Sequence, residues 1–183
     1  MLYICIPTFD EAPTIGVLLW KIRKVFQEYS REYEILVYND ASTDATAERA
    51  NAAGAEVRHE PVRGYGAAAW CGLQDLPGSI GWILFSSADG SDALEPVELE
   101  AWQMAVRDGA DFILGDRCSH PDSSSCLNPS QRWCTWIFRW VVRWGWGREF
   151  RDVGSLRAVR LAAWPRMRIA DRGFGWNVEM QIR

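Results

Sequence analysis

The chain is 183 residues long, 48% apolar and 24% charged, a balance that fits one globular domain and excludes a disordered or low-complexity chain. No apolar run approaches the ~18–20 residues of a membrane span. A strand-like segment opens at Leu2 with no basic stretch before it, so no signal peptide is expected.

Leu2–Ile6 is a short apolar run halted by Pro7 and reads as a buried strand. Ile15, Leu18, Leu19, Ile22, Val25 and Phe26 then recur at helical spacing, with Pro13 suited to the first turn. Glu34–Tyr38 is the next strand, and the turn-rich NDASTD leads into a helix over Thr46–Ala53 that stops at Gly54. The alternation goes on through a strand at Ala55–His59, a helix at Tyr65–Leu76, a strand at Trp82–Phe85, a helix at Pro96–Arg107 and a strand at Phe112–Leu114. Such alternation with continuous apolar strands predicts an α/β fold whose mostly parallel sheet is flanked by helices. Right-handed crossovers gather the strand-to-helix loops at the carboxyl edge, where such sheets bind ligands. Those loops are 7–13, 39–44, 60–66 and 86–95, and a polar, Pro/Ser-rich loop follows at Ser119–Ser130.

The net charge of −4 divides unevenly. Residues 1–130 balance to −11, whereas residues 131–172 carry ten arginines and balance to +7. Within the basic part, 133–146 holds five of the 11 tryptophans. Trp133, Trp136 or Ile137, Trp140 and Trp144 are spaced as one face of a helix, with Arg132, Arg139 and Arg143 on others. Core packing is the preferred reading of that face. The rival is an interfacial helix over 131–148 touching a membrane, because Trp and Arg favour the headgroup layer. The acidic body argues against a nucleic-acid partner. Five cysteines, an odd count without a CxxC, suggest a reduced, cytoplasmic protein.

Three of the four edge loops place acids beside a strand end: Asp10 and Glu11, Asp40 and Asp44, Asp89 and Asp92. The fourth, RGYGAA, sets Arg63 beside two glycines before a helix, which suits a phosphate. Gathered carboxylates repel unless a cation or donors share their site. A metal-bound sugar nucleotide meets that need, since Mg²⁺ or Mn²⁺ takes one or two carboxylates plus diphosphate oxygens. Taken singly, each loop is equally well read as an ordinary turn or helix cap.

Taken together, the motifs resemble those of the family 2 glycosyltransferases of GT-A fold, closest to the bacterial subgroup of polyprenyl-phosphate sugar transferases. CIPTFDE is similar to the family's P-x-x-N-E, YNDASTDAT to V-D-D-G-S-T-D-x-T, RGYGAA to G-x-G-x-A and SSADGSD to the D-A-D-G-x-D metal motif. DRC, NPSQR, DVGSLRAVR and DRGFGWNVEMQ resemble later segments of the subgroup. The resemblance implies a single catalytic domain over 1–183, with a nucleotide-sugar half at 1–115 and an acceptor half at 116–183. Pro7, Thr8, Glu11, Asp40, Arg63, Gly66, Ala88 and Asp89 would bind the nucleotide-sugar donor. Asp89 and Asp92 would hold Mg²⁺ or Mn²⁺. Arg117 and Arg132 would address acceptor phosphate, and Glu179, Arg157 and Arg117 would serve the chemistry. The implied reaction is inverting transfer of a sugar to an acceptor such as polyprenyl phosphate, at the inner face of the membrane. Ser87 and Asn39 stand where the family has Asp, and the chain ends at Arg183, within the expected GWNVEMQ helix and before the family's usual C-terminal extension. These departures give the alternative reading, a degenerate or truncated sugar-nucleotide-binding module without transferase activity.

Overall fold

The computed structural model describes residues 1–28, 32–61, 63–74, 76, 78–90, 92, 96–116, 129–173 and 175–183. In chain order it contains β1 (Leu2–Thr8), α1 (Ile15–Glu28), β2 (Tyr33–Asp40), α2 (Thr46–Ala52), β3 (Glu56–Glu60), α3 (Tyr65–Gly72), β4 (Trp82–Phe85) and α4 (Pro96–Arg107). Then come β5 (Phe112–Leu114), α5 (Pro129–Trp146), β6 (Arg157–Arg160), a 3₁₀ turn, α6 (Trp164–Met167) and α7 (Trp176–Ile182). The six strands form one sheet in the order β3-β2-β1-β4-β6-β5.

The first four strands of that order are parallel, as the alternation predicts. The departure is β6, which lies between β4 and β5 and runs antiparallel to both. Its four residues, RAVR, begin and end in arginine, so they carry no strand pattern of their own. β1 continues through Pro7 to Thr8, two residues beyond the expected stop. Its ladder with β4 ends at Cys5↔Phe85, so Pro7 costs no hydrogen bond on that side.

Alternation along β1 builds two cores. Ile4 and Ile6 join Ile15, Leu19, Ile22 and Phe26 of α1 and Leu99 of α4 on one face. Tyr3 and Cys5 join Ala68 and Ala69 of α3 and Trp176 and Met180 of α7 on the other. There the rings of Trp70, Phe85, Trp164 and Trp176 meet with centroids 5.4–6.5 Å apart. Trp176 is thereby fully buried, which fixes α7 against the carboxyl half of the sheet.

Helix α5 overturns the core-packing reading of its tryptophans. Trp133, Trp136, Trp140 and Trp144 are 57–75% exposed, and Val142 is the residue of this helix that is buried among those described. The helical period was right, but the face it marks points away from the protein. Among the described residues no helix is long and apolar enough to cross a membrane.

Candidate functional site

At the carboxyl ends of β1 and β2 lies a cavity of about 500 Å³ lined by Pro7, Thr8, Phe9, Asp40, Arg63, Gly64 and Tyr65. Parallel pairing explains the meeting, since Thr8 lies opposite Asn39 and both strands deliver their last residues at one level. Asp40 is buried there, and its carboxylate oxygens accept the Gly64 N–H at 2.9 Å. This bond ties the 60–66 loop across the end of β2 and leaves the carboxylate other lone pairs for a ligand donor. The Arg63 guanidinium stacks 4.0 Å from the centroid of Phe9, so cation and aromatic ring share the mouth. Tyr65 brings a hydroxyl beside Asn177, and burial pushes its pKa well up, so it stays protonated.

The flanking loop is braced from below. Thr43 N–H donates to Asp10 Oδ1 at 2.8 Å and Asp10 N–H donates to Ser42 Oγ at 3.0 Å. Glu11 N–H donates to Thr46 Oγ1, and Ala12 N–H donates to Asp44. The Thr46 hydroxyl, the largest influence, and the Ala12 and Thr46 N–H groups hold the Asp44 carboxyl below the usual range. Asp10 and Ala41 take the left-handed conformation, at φ 52° and 51°, within this double loop. Asn39, where the family has Asp, is buried with its amide against His59 Nδ1 and its oxygen accepting Ser42 N–H. The residue that lines the cavity is the next one, Asp40.

Beyond β4, Ser86 N–H donates to Cys5 O, which carries the 86–90 segment up alongside β1. Asp89 is exposed there, on the same sheet edge as Asp40 with β1 between them. Ala88 beneath it is buried. Asp92 turns inward instead. It accepts Ser87 N–H at 2.6 Å and the Ser155 hydroxyl at 2.9 Å, tying the loop after β4 to the approach to β6. Groups of three or more metal-ligating side chains are absent among the described residues. Among the described residues of this loop, Asp89 is the exposed carboxylate, so a divalent cation held here would need ligand oxygens to complete its shell.

The structure thus brings Pro7, Thr8, Asp40 and Arg63 to one cavity and sets Asp89 on the neighbouring strand exit. Several expectations are revised. Glu11 Oε2 accepts the Thr14 hydroxyl at 2.7 Å, at the start of α1 rather than in the cavity lining. Gly66 faces protein, for its N–H donates to Gly173 O and a Cβ would lie 2.6 Å from the Arg172 carbonyl carbon. Arg157 is fully buried and donates to the carbonyls of Ser155, Asn177 and Gly154, bonds by which it braces the core. Glu179 accepts N–H bonds from Asp171 at 2.8 Å and Ala170 at 2.9 Å, and these hold its carboxyl below the usual range. A carboxylate so held is a weak base. Arg132 is exposed on α5, and Arg117 lies outside the described residues. Phe9, Gly64 and Tyr65 were missed as lining residues, although an aromatic directly after a strand-ending Pro-Thr was a usable signal.

The model of the glycosyl transferase family 2 matches residues 3–172, nearly the whole chain. The chain belongs to that family. An uncharacterized glycosyltransferase of Mycobacterium tuberculosis is 29% identical over 82% of this chain and 66% of its own. Glycosyltransferase AglJ of Haloferax volcanii is 29% identical over 98% and 57%, and the undecaprenyl-phosphate mannosyltransferase of Micrococcus luteus is 28% identical over 97% and 75%. Glucosyl-3-phosphoglycerate synthase of M. tuberculosis, solved with Mn²⁺, UDP and glucosyl-3-phosphoglycerate, superposes with a TM-score of 0.72 at 18% identity, covering 98% of this chain and 63% of that one. Mannosyl-3-phosphoglycerate synthase of Rubrobacter xylanophilus gives 0.66 at 19% identity, over 88% and 53%. The family's GT-A fold is therefore the fold of this chain, which spans about two thirds or less of the length of several of these proteins.

Proposed function

We propose that this family 2 chain transfers a sugar, with inversion, from a nucleoside diphosphate donor to a phosphate-bearing acceptor. The observation that carries the reading is the single cavity where Pro7, Thr8, Asp40 and Arg63 converge, with Asp89 exposed on the same edge. The nucleoside enters between Phe9 and the ends of β1 and β2, and the Asp40 carboxylate accepts hydrogen bonds from base or ribose. Arg63, once displaced from the Phe9 ring, faces the diphosphate, whose oxygens match a guanidinium fork. Mg²⁺ or Mn²⁺ held by Asp89 would neutralise charge on the departing diphosphate.

The acceptor oxygen attacks the anomeric carbon in line while the bond to the diphosphate breaks. A phosphate nucleophile is already ionised at neutral pH, so the transfer does not require Glu179 as a base. The named relatives support a phosphate-bearing acceptor from two sides, one by undecaprenyl phosphate and the others by phosphoglycerate. Polyprenyl phosphate is the acceptor we favour, with the 116–183 half, including Arg132, on its side and the enzyme working in the cytoplasm at the inner face of the membrane. A donor screen with Mn²⁺ or Mg²⁺ tests the reading: sugar transfer to a polyprenyl phosphate supports it. Donor binding without transfer to polyprenyl phosphate or to phosphoglycerate would favour the alternative of a binding module.

A further inference from the structure

We infer that α5 is the face by which this protein sits on an anionic lipid bilayer. At about 100° per residue, Trp133, Trp136, Trp140 and Trp144 share an arc of roughly 80°, and Arg132, Arg139 and Arg143 form a stripe directly beside it. Buried Val142 lies on the opposite side of the helix, so the tryptophan stripe points straight out from the domain. Trp140 and Trp144 touch, with ring centroids 5.9 Å apart, and a groove at Trp140 is also lined by Trp136, Arg139, Arg143, Glu149 and Phe150. Arg143 pairs with Glu149 at the rim of this surface, where both side chains remain mostly exposed.

The chemistry of the stripe selects its occupant. Tryptophan beside arginine is the composition of the boundary between acyl chains and headgroups, and the charge of the segment decides for that boundary over a protein partner. The basic segment also differs in sign from the acidic remainder of the chain, which orients this face towards anionic lipid and the rest away from it. A second copy docked on this face with the helices antiparallel would set the arginine stripes near their own mates, which like charges oppose. The helix holds arginines throughout and is not apolar enough to span, so it lies in the interfacial plane. This deepens the proposed acceptor reading, because a lipid acceptor would then be presented beside the 116–183 half.

The test is co-sedimentation of the whole chain, without nucleotide, with phosphatidylcholine vesicles containing or lacking phosphatidylglycerol. Binding should require the anionic lipid and weaken as salt rises. Trp136→Ser with Trp140→Ser and Trp144→Ser, and separately Arg139→Glu with Arg143→Glu, should each weaken it by at least about tenfold. Melting temperatures should stay near that of the parent, since the substituted residues are exposed. Three results would overturn the inference: no vesicle binding at low salt, binding that ignores both sets of substitutions, or a dimer dispersed by the tryptophan substitutions in place of vesicle binding. Vesicle binding by a chain that transfers no sugar would overturn the transferase reading alone.

Discussion

Two glycine-to-alanine substitutions should move stability in opposite directions. At Gly66 the added methyl would lie 2.6 Å from the Arg172 carbonyl carbon, and 2.9 Å from both its Cα and its oxygen. All three are backbone atoms, so no rotamer change relieves the clash. The 172–173 segment must retreat, which also strains the 3.1 Å bond from Gly66 N–H to Gly173 O. Overpacking of this kind costs about 1–3 kcal/mol, and the strained hydrogen bond adds about 1 kcal/mol. In a chain of this size that lowers the melting temperature by roughly 5–10 °C. At Gly145, within α5, no atom lies within 4 Å of the added methyl, so alanine there should stabilise by up to about 0.5–1 kcal/mol through helix propensity alone. Urea unfolding of both variants provides the measurement. A Gly66→Ala protein as stable as the parent would show that the 172–173 segment does not pack on α3 as described.

Other consequences follow from the braces around the cavity. Asp92→Ala removes the acceptor for the Ser87 N–H and the Ser155 hydroxyl, and should cost about 1.5–3 kcal/mol in chemical unfolding. Arg157→Met strands buried carbonyls at Gly154, Ser155 and Asn177 and should destabilise by about 3 kcal/mol or more in the same assay. The folded pKa of Glu179 is depressed, so its ionised form adds stability above the ordinary Glu range, and this is lost as pH falls through the folded value. Glu179→Gln should therefore flatten the acid side of a melting-temperature profile and change transfer to a phosphate acceptor little.

Most of the parallel sheet was legible because β1, β2 and β4 are apolar runs between turn-rich loops, a pattern set by burial on both faces. β6 was not, since RAVR reads as polar and becomes a strand only when β4 and β5 offer it edges on both sides. The same limit governs the site. Asp40 and Arg63 were readable from their place after a strand and before a helix, and both reach the cavity. Arg157, Asp92 and Glu179 carry the same charges as site residues, yet the fold spends them on backbone groups that burial would otherwise leave unpaired. Spacing along a chain does not show that difference. Nor does helical period show which way a face points, and the α5 tryptophans turned outward. The family is legible in the motifs, while the partner of each carboxylate is set by the folded chain.

Calorimetric titration of nucleoside diphosphates, with and without Mn²⁺, on the parent chain and on Asp89→Ala and Asp40→Ala tests the donor site most directly. A nucleoside diphosphate should bind the parent more tightly with metal. Asp89→Ala should keep the metal-free affinity and lose the gain from metal, and Asp40→Ala should weaken binding in both conditions. An affinity unmoved by metal in the parent, or unmoved by Asp40→Ala, would contradict the account.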